Sequence, residues 1–202
     1  MKKLLKGEAL MLRTCKADGT SYDGFKWPKS GPVTCTDWRP TAECGHGLHG
    51  LLWGEGSGTL LDWSETAAWL VVRIKESETV YIRGQVKVPS GIVEFFGAAF
   101  DAVALIQKYA PAGKIIVSGT ARAGDGGTAA AGDYGTATAG VRGTAAAGVS
   151  GTARAGEDGV ICIQYWNGEK YKRAVFAVGE NGIEPNQPYQ VDEKGKPVKV
   201  KE

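Results

Sequence analysis

The stretch from Gly119 to Asp158 constrains this chain more than any other. It reads GTARAGDG, GTAAAGDY, GTATAGVR, GTAAAGVS and GTARAGED, five octads with no slip in register. A repeat this short cannot enclose a core, so its units must stack on one another. Each octad offers a strand, Gly-Thr-Ala-x-Ala, followed by a Gly-x-x turn. Side chains alternate faces along a strand, so the two Ala positions share one face while Thr and the variable residue share the other. Ala fills the first set in every octad, from Ala121 and Ala123 to Ala153 and Ala155. Only methyl groups are accommodated there, which fits an interior where two sheets meet closely.

The variable position is Arg122, Thr138 and Arg154 in the odd octads and Ala130 and Ala146 in the even ones. The period is therefore read as sixteen residues, two strands per layer, with two unlike outer faces. One face carries Thr120, Thr136 and Thr152 beside Arg122, Thr138 and Arg154. At about 4.8 Å per strand, the two arginines stand about 10 Å apart. Arg122, Thr138 and Arg154 form a candidate ligand-binding set that would hold an anion by charge-assisted hydrogen bonds. The commoner role of such arginines is to keep an exposed sheet soluble. The apolar flanks Lys114-Ile115-Ile116-Val117 and Val160-Ile161-Cys162-Ile163 read as end units that stop edge-to-edge growth.

A formal charge of +2 implies no strong polyanion partner, so no nucleic-acid signal stands out. No apolar run is long enough to span a bilayer, and no membrane partner is expected. The start, Met1-Lys2-Lys3-Leu4-Leu5-Lys6-Gly7-Glu8, has a basic beginning, but Lys6 and Glu8 interrupt any signal-like apolar stretch. The expected location is cytoplasmic. Four scattered cysteines (Cys15, Cys35, Cys44 and Cys162) do not make a disulfide framework and read as free thiols.

In the first half, residues 8–16 read as a strand, and residues 20–43 as an aromatic loop carrying Trp27 and Trp38. Residues 67–75 and 79–88 read as a hairpin, and Ser90-Gly91 opens a helix predicted to run to Ala110, with Phe95, Ala99, Val103 and Ile106 on one face. After the repeats, Asn167-Gly168 marks a hairpin between 160–166 and 169–178. The Lys-rich end from Lys194 reads as an edge strand or a frayed tail. The expected architecture is an α+β N-terminal domain (1–112), a short two-sheet β-solenoid of octapeptide repeats (113–159) and a C-terminal β-hairpin cap (160–202).

Both histidines lie in Cys44-Gly45-His46-Gly47-Leu48-His49, with Cys35 upstream. Cys35, Cys44, His46 and His49 are four candidate zinc ligands, although the spacing Cys-x8-Cys-x-His-x2-His matches no standard finger. His49 is also a candidate catalytic base, with Glu43, Asp37, Glu55 or Asp62 as its carboxylate partner. The commoner role of such a histidine is a buried, hydrogen-bonded one. Trp38 and His46 complete the candidate ligand-binding residues, and no cofactor other than zinc is expected.

The order Cys44-x-x-Gly47-Leu48-His49, Leu60-Leu61-Asp62-Trp63 and a Trp69–Ile74 strand resembles an uncharacterised module of phage and prophage proteins. In that family a Cys-x-x-Gly-x-His module precedes octapeptide repeats. The tail, with Trp166-Asn167-Gly168 and Gly179-Glu180-Asn181-Gly182-Ile183-x-Pro185-Asn186, is similar to tails in the same group. Leu48 where an aromatic is common, and the added His46, depart from the pattern. The resemblance implies a phage-type intracellular accessory protein. The ordered threonine hydroxyls and the two arginines, joined to an aromatic-rich domain, point to one that binds a host protein or a small anionic ligand, with the repeats as scaffold. The alternative is an enzyme of nucleotide-transfer type centred on His49. No nucleophile elbow or phosphate loop accompanies it. A minor alternative is adsorption to ice, because Thr136-x-Thr138 resembles the threonine ranks of ice-binding solenoids. An exposed Thr/Ala sheet could also pair face to face in a homodimer.

Overall fold

Ala9-Leu10-Met11-Leu12 is too continuous an apolar run for a strand with one wet face, and all four residues are fully buried. They lie in β1 (Glu8–Cys15). The computed structural model describes residues 3–200; Met1-Lys2 of the basic start and the last two residues of the Lys-rich tail lie outside the described residues. The chain divides into two compact units, one ending at Lys114 and the other beginning at Ile115.

The first unit continues through β2 (Gly31–Thr34), β3 (Leu48–Leu52), β4 (Ala68–Lys75), β5 (Val80–Ile82), β6 (Gln85–Val88), β7 (Ser90–Gly97) and α1 (Ala99–Tyr109). Its seven strands form one antiparallel sheet in the order β2-β7-β4-β1-β3-β6-β5. The helix lays Ala102, Val103 and Ile106 on β4, β1 and β7. Two expectations are corrected here. Residues 90–97 are strand, not helix, because Ile92, Val93, Phe95 and Phe96 pair with β4 on one side and β2 takes the other. Residues 67–75 and 79–88 are not one hairpin. β4 is flanked by β1 and β7, while 80–88 folds back on itself at Arg83-Gly84 as β5 and β6.

The second unit contains β8 (Thr120–Arg122), β9 (Thr128–Ala131), β10 (Thr136–Thr138), β11 (Thr144–Ala147), β12 (Thr152–Arg154), β13 (Val160–Trp166), β14 (Tyr171–Ala177), β15 (Tyr189–Val191) and β16 (Pro197–Lys199). Strands go alternately to two sheets. Thr136 pairs in parallel with Thr120 and Thr152, and Thr144 with Thr128 and Val160, each sixteen residues away. Neither sheet closes on itself: one runs β16-β15-β12-β10-β8 and the other β14-β13-β11-β9. The C-terminal strands join antiparallel, β14 on β13 and β15 on β12, which ends the parallel stacking on that side.

Eight repeat alanines, Ala129 to Ala155, form the interior with Ile161, Ile163, Val178, Ile183 and Tyr189. Ala pairs bury little area, so hydrophobic transfer contributes modestly and the backbone ladders carry much of the order. Glycine opens each turn, and at Gly132, Gly140, Gly148 and Gly156 the preceding layer touches it. A Cβ on Gly140 would collide with the Asp125 carboxylate, with the Asp125 amide nitrogen at 2.7 Å and with the Gly124 carbonyl carbon at 2.8 Å. Asp125 and Asp133 tie adjacent layers by accepting from the Val141 and Val149 amides at 3.0 and 2.9 Å. The turns leave through the left-handed region even where the residue is Tyr134, Arg142, Ser150 or Asp158, with φ of 54–56°. The layer spacing dictates that conformation, since Tyr, Arg and Ser do not favour it.

Candidate functional site

The loop between β2 and β3 is organised by Lys87, whose side chain has no solvent exposure. The strand register sets Lys87 opposite His49. Its ammonium donates to the carbonyls of Glu43 (2.9 Å) and Gly45 (3.0 Å) and lies 5.7 Å from the centre of the Trp38 ring. Three of the loop's polar side chains are chained through one carboxylate. The Cys35 thiol donates to Asp37 Oδ1 at 2.8 Å and His46 Nδ1 donates to Oδ2 at 2.7 Å. The thiol holds the Asp37 carboxyl below its usual range, with His46 adding to the effect. Burial, then Asp37, pushes the Cys35 thiol up, so this is not an activated nucleophile.

His49 Nε2 accepts a hydrogen bond from the Gly45 amide at 3.3 Å, which requires a neutral ring nitrogen. Its own carbonyl accepts from Arg13 at 3.0 Å, and the Arg13 guanidinium stacks 4.5 Å from the Trp27 ring centre. Burial lowers the Arg13 pKa to about 10. Burial is also the largest cause lowering the His49 pKa, and Arg13 and Lys87 push it the same way. Neutral His49 therefore stabilises the fold above its unfolded pKa of about 6.5, and that contribution is lost as pH falls below it. Melting of the first unit is expected to drop between neutral and mildly acid pH, and to drop less in His49→Gln; equal pH dependence in both proteins contradicts the assignment.

The carboxylate partners expected for His49 go elsewhere. Asp37 holds His46, Glu55 pairs with Lys114 at 2.6 Å, Asp62 accepts from the Ser64 amide, and the Glu43 carboxylate accepts from the Thr41 hydroxyl while its carbonyl serves Lys87. His49 is thus placed as a loop-holding residue rather than a base beside a carboxylate. The zinc reading does not fit either. Cys35 and His46 converge on Asp37 while the His49 ring faces Gly45, and among the described residues no three His, Cys, Asp or Glu side chains form a group that could hold a metal ion. Lys87 was missed in sequence because Val86-Lys87-Val88 reads as a strand with its lysine in water.

The other candidate ligand residues are divided between the units: Trp38 and His46 in the first, Arg122, Thr138 and Arg154 in the second. Register places Thr138 between Arg122 and Arg154 on adjacent strands. The neighbouring rank is Thr120, Thr136 and Thr152. The first two are exposed, and the Thr152 hydroxyl accepts from Gln190 of β15 at 3.1 Å. The second sheet stacks Thr128 and Thr144 under Val160, beside Ala130, Ala146 and Cys162, with no charge among them.

A stack of threonine-bearing parallel strands defines a class of repetitive β surface, and sequence comparison gives its company. Half of this chain is similar to ice nucleation proteins: 36% identical over 104 residues to one from Xanthomonas campestris pv. translucens, 35% over 101 residues to InaU of Pantoea ananas, and 38% over 97 residues to one from Pseudomonas syringae. The matched stretch is only 7%, 10% and 8% of those proteins, respectively. No family model matches the chain, and no solved structure matches it. The resemblance to phage and prophage proteins is thereby corrected, as is the reading of an intracellular accessory protein that binds a host component or an anion. The cytoplasmic placement, drawn from the interrupted apolar start at Lys6 and Glu8, is corrected by the same similarity. No helix among the described residues is long and apolar enough to cross a membrane, which says nothing about strands.

Proposed function

We propose that the repeats form a short β-solenoid whose threonine ranks order water in an ice-like pattern. In this reading residues 1–112 are an α+β module, 113–159 the solenoid and 160–202 its cap. The observation that carries it is the in-register stacking of Thr120 on Thr136 on Thr152, and of Thr128 on Thr144, on outward faces of parallel sheets. Successive hydroxyls and methyls then repeat at about 4.8 Å on a backbone held by close contact at the glycine turns, with aspartate-to-amide bonds from the first two octads to the third and fourth. Water arranged on such a template loses less entropy on joining a crystal, since the protein has already fixed where hydrogen-bonding groups stand. The similarity to ice nucleation proteins over half of the chain supports the same reading.

Five octads offer a small patch, so the effect is expected to be modest. Purified protein should raise the freezing temperature of suspended droplets above that of buffer and facet growing ice crystals. Thr136→Leu with Thr144→Leu should return both to the buffer value while leaving the melting temperature unchanged within a few degrees. Equal freezing by the wild type and this folded variant overturns the reading.

A further inference from the structure

The strand pair β13–β14 is longer than the sheet it joins. β13 pairs with β11 only from Val160 to Ile163, whereas its pairing with β14 continues to Trp166 and Tyr171. Three residue pairs, Gln164–Arg173, Tyr165–Lys172 and Trp166–Tyr171, therefore project about 10 Å beyond β11. One side of the projection is covered: the Gly195 backbone lies so close to Tyr165 that a Cβ there would meet the ring at 2.6 Å. The other side is bare. Trp166 and Tyr171 stand edge to face with ring centres 4.9 Å apart, 45% and 49% exposed, with Val175 62% exposed in line behind them.

The tip is rigid, because Asn167 Oδ1 accepts from the amides of Glu169 and Lys170 at 3.2 and 2.9 Å. Register puts Arg173 on the face of the aromatic pair and Lys172 on the face of Tyr165, with Lys170 and Glu169 at the tip, and none of the three cations makes an ion pair among the described residues. We propose that this hairpin is a peripheral docking element for a lipid bilayer surface carrying anionic headgroups. Trp and Tyr combine an apolar body with a polar edge and favour the boundary between headgroups and hydrocarbon. Adjacent Lys and Arg gain from the negative potential of such a surface. A single-stranded nucleic acid would ask for an open ring face to stack a base, and the edge-to-face packing of Trp166 and Tyr171 covers one. The sequence expectation of no membrane partner concerned spanning runs, which a surface contact does not need.

The test is co-sedimentation of the full chain with vesicles of phosphatidylcholine containing about a third phosphatidylglycerol, against vesicles of phosphatidylcholine alone. Binding is expected only to the anionic vesicles and is expected to weaken with salt. Trp166→Ser with Tyr171→Ser should lower affinity about tenfold or more. Lys170→Gln with Arg173→Gln, both exposed, should lower it about fivefold per charge removed. Absence of binding to anionic vesicles, equal binding by the Lys170/Arg173 variant, or binding of a labelled single-stranded oligonucleotide that depends on these residues without vesicle binding would each overturn the proposal. Ice activity in the threonine variant is a separate readout.

Discussion

Gly140→Ala is expected to break the repeat stack, and Gly124→Ala at the same octad position to leave it intact. The two glycines are sixteen residues apart, in successive layers. An added methyl on Gly140 enters the space of Asp125 and the Gly124 carbonyl, which are backbone and a layer-tying carboxylate rather than the end of a flexible chain. Relief requires the layers to part, with loss of the Val141 amide bond and its neighbours, at a cost of about 3–5 kcal/mol. A methyl on Gly124 meets nothing within 4 Å and its φ lies outside the left-handed region. That substitution should be neutral, or stabilise by about 0.4–1 kcal/mol through the unfolded state. Chemical denaturation of the two variants checks this, and equal loss in both would remove the close-contact account.

Lys87→Met should destabilise the first unit by about 2–4 kcal/mol. Methionine matches the length of lysine, so the packing of the aliphatic stem against Trp38 and Gly47 survives. What disappears is the donor that gathers the Glu43 and Gly45 carbonyls. With it goes the frame that lets the Gly45 amide reach His49 and the Arg39 amide reach the His46 carbonyl at 3.2 Å. Hydrogen exchange at Arg39 and Gly45 should accelerate strongly in the variant while β1 and β4 amides stay protected. Unchanged exchange at Arg39 would mean that the loop holds itself.

The repeats were legible because their chemistry leaves little choice. Glycine and alanine at fixed spacing admit one kind of close stacking, and the alternation of Arg122, Thr138 and Arg154 with Ala130 and Ala146 exposed the sixteen-residue period. The first unit was less legible because local pattern and long-range pairing disagreed. Phe95, Ala99, Val103 and Ile106 fall at helical spacing, yet the first belongs to β7 and the others to α1. Tertiary pairing on both sides of β7 outweighs that periodicity. In the loop, the histidines and cysteines drew attention as chemistry-bearing residues, while the group that organises them is a lysine some forty residues further along. Function was misread for a related reason. The Cys44–His49 module carries the resemblance to phage proteins, whereas Thr136-x-Thr138 is the one octad with both threonines and supports adsorption to ice only as a minor alternative.

The alternation of strands between two sheets makes the parity of the repeat count a structural variable. Five octads is an odd number, so the first and last repeat strands fall in one sheet and the following strand, β13, in the other. Insertion or loss of a single octad during duplication of the coding sequence would hand β13, β14 and the aromatic hairpin to the opposite sheet, reversing which threonine rank they adjoin. Changes by two octads lengthen or shorten the array with every relationship kept. Variation in a lineage of such proteins should therefore move in steps of sixteen residues wherever the tail and a particular face act together.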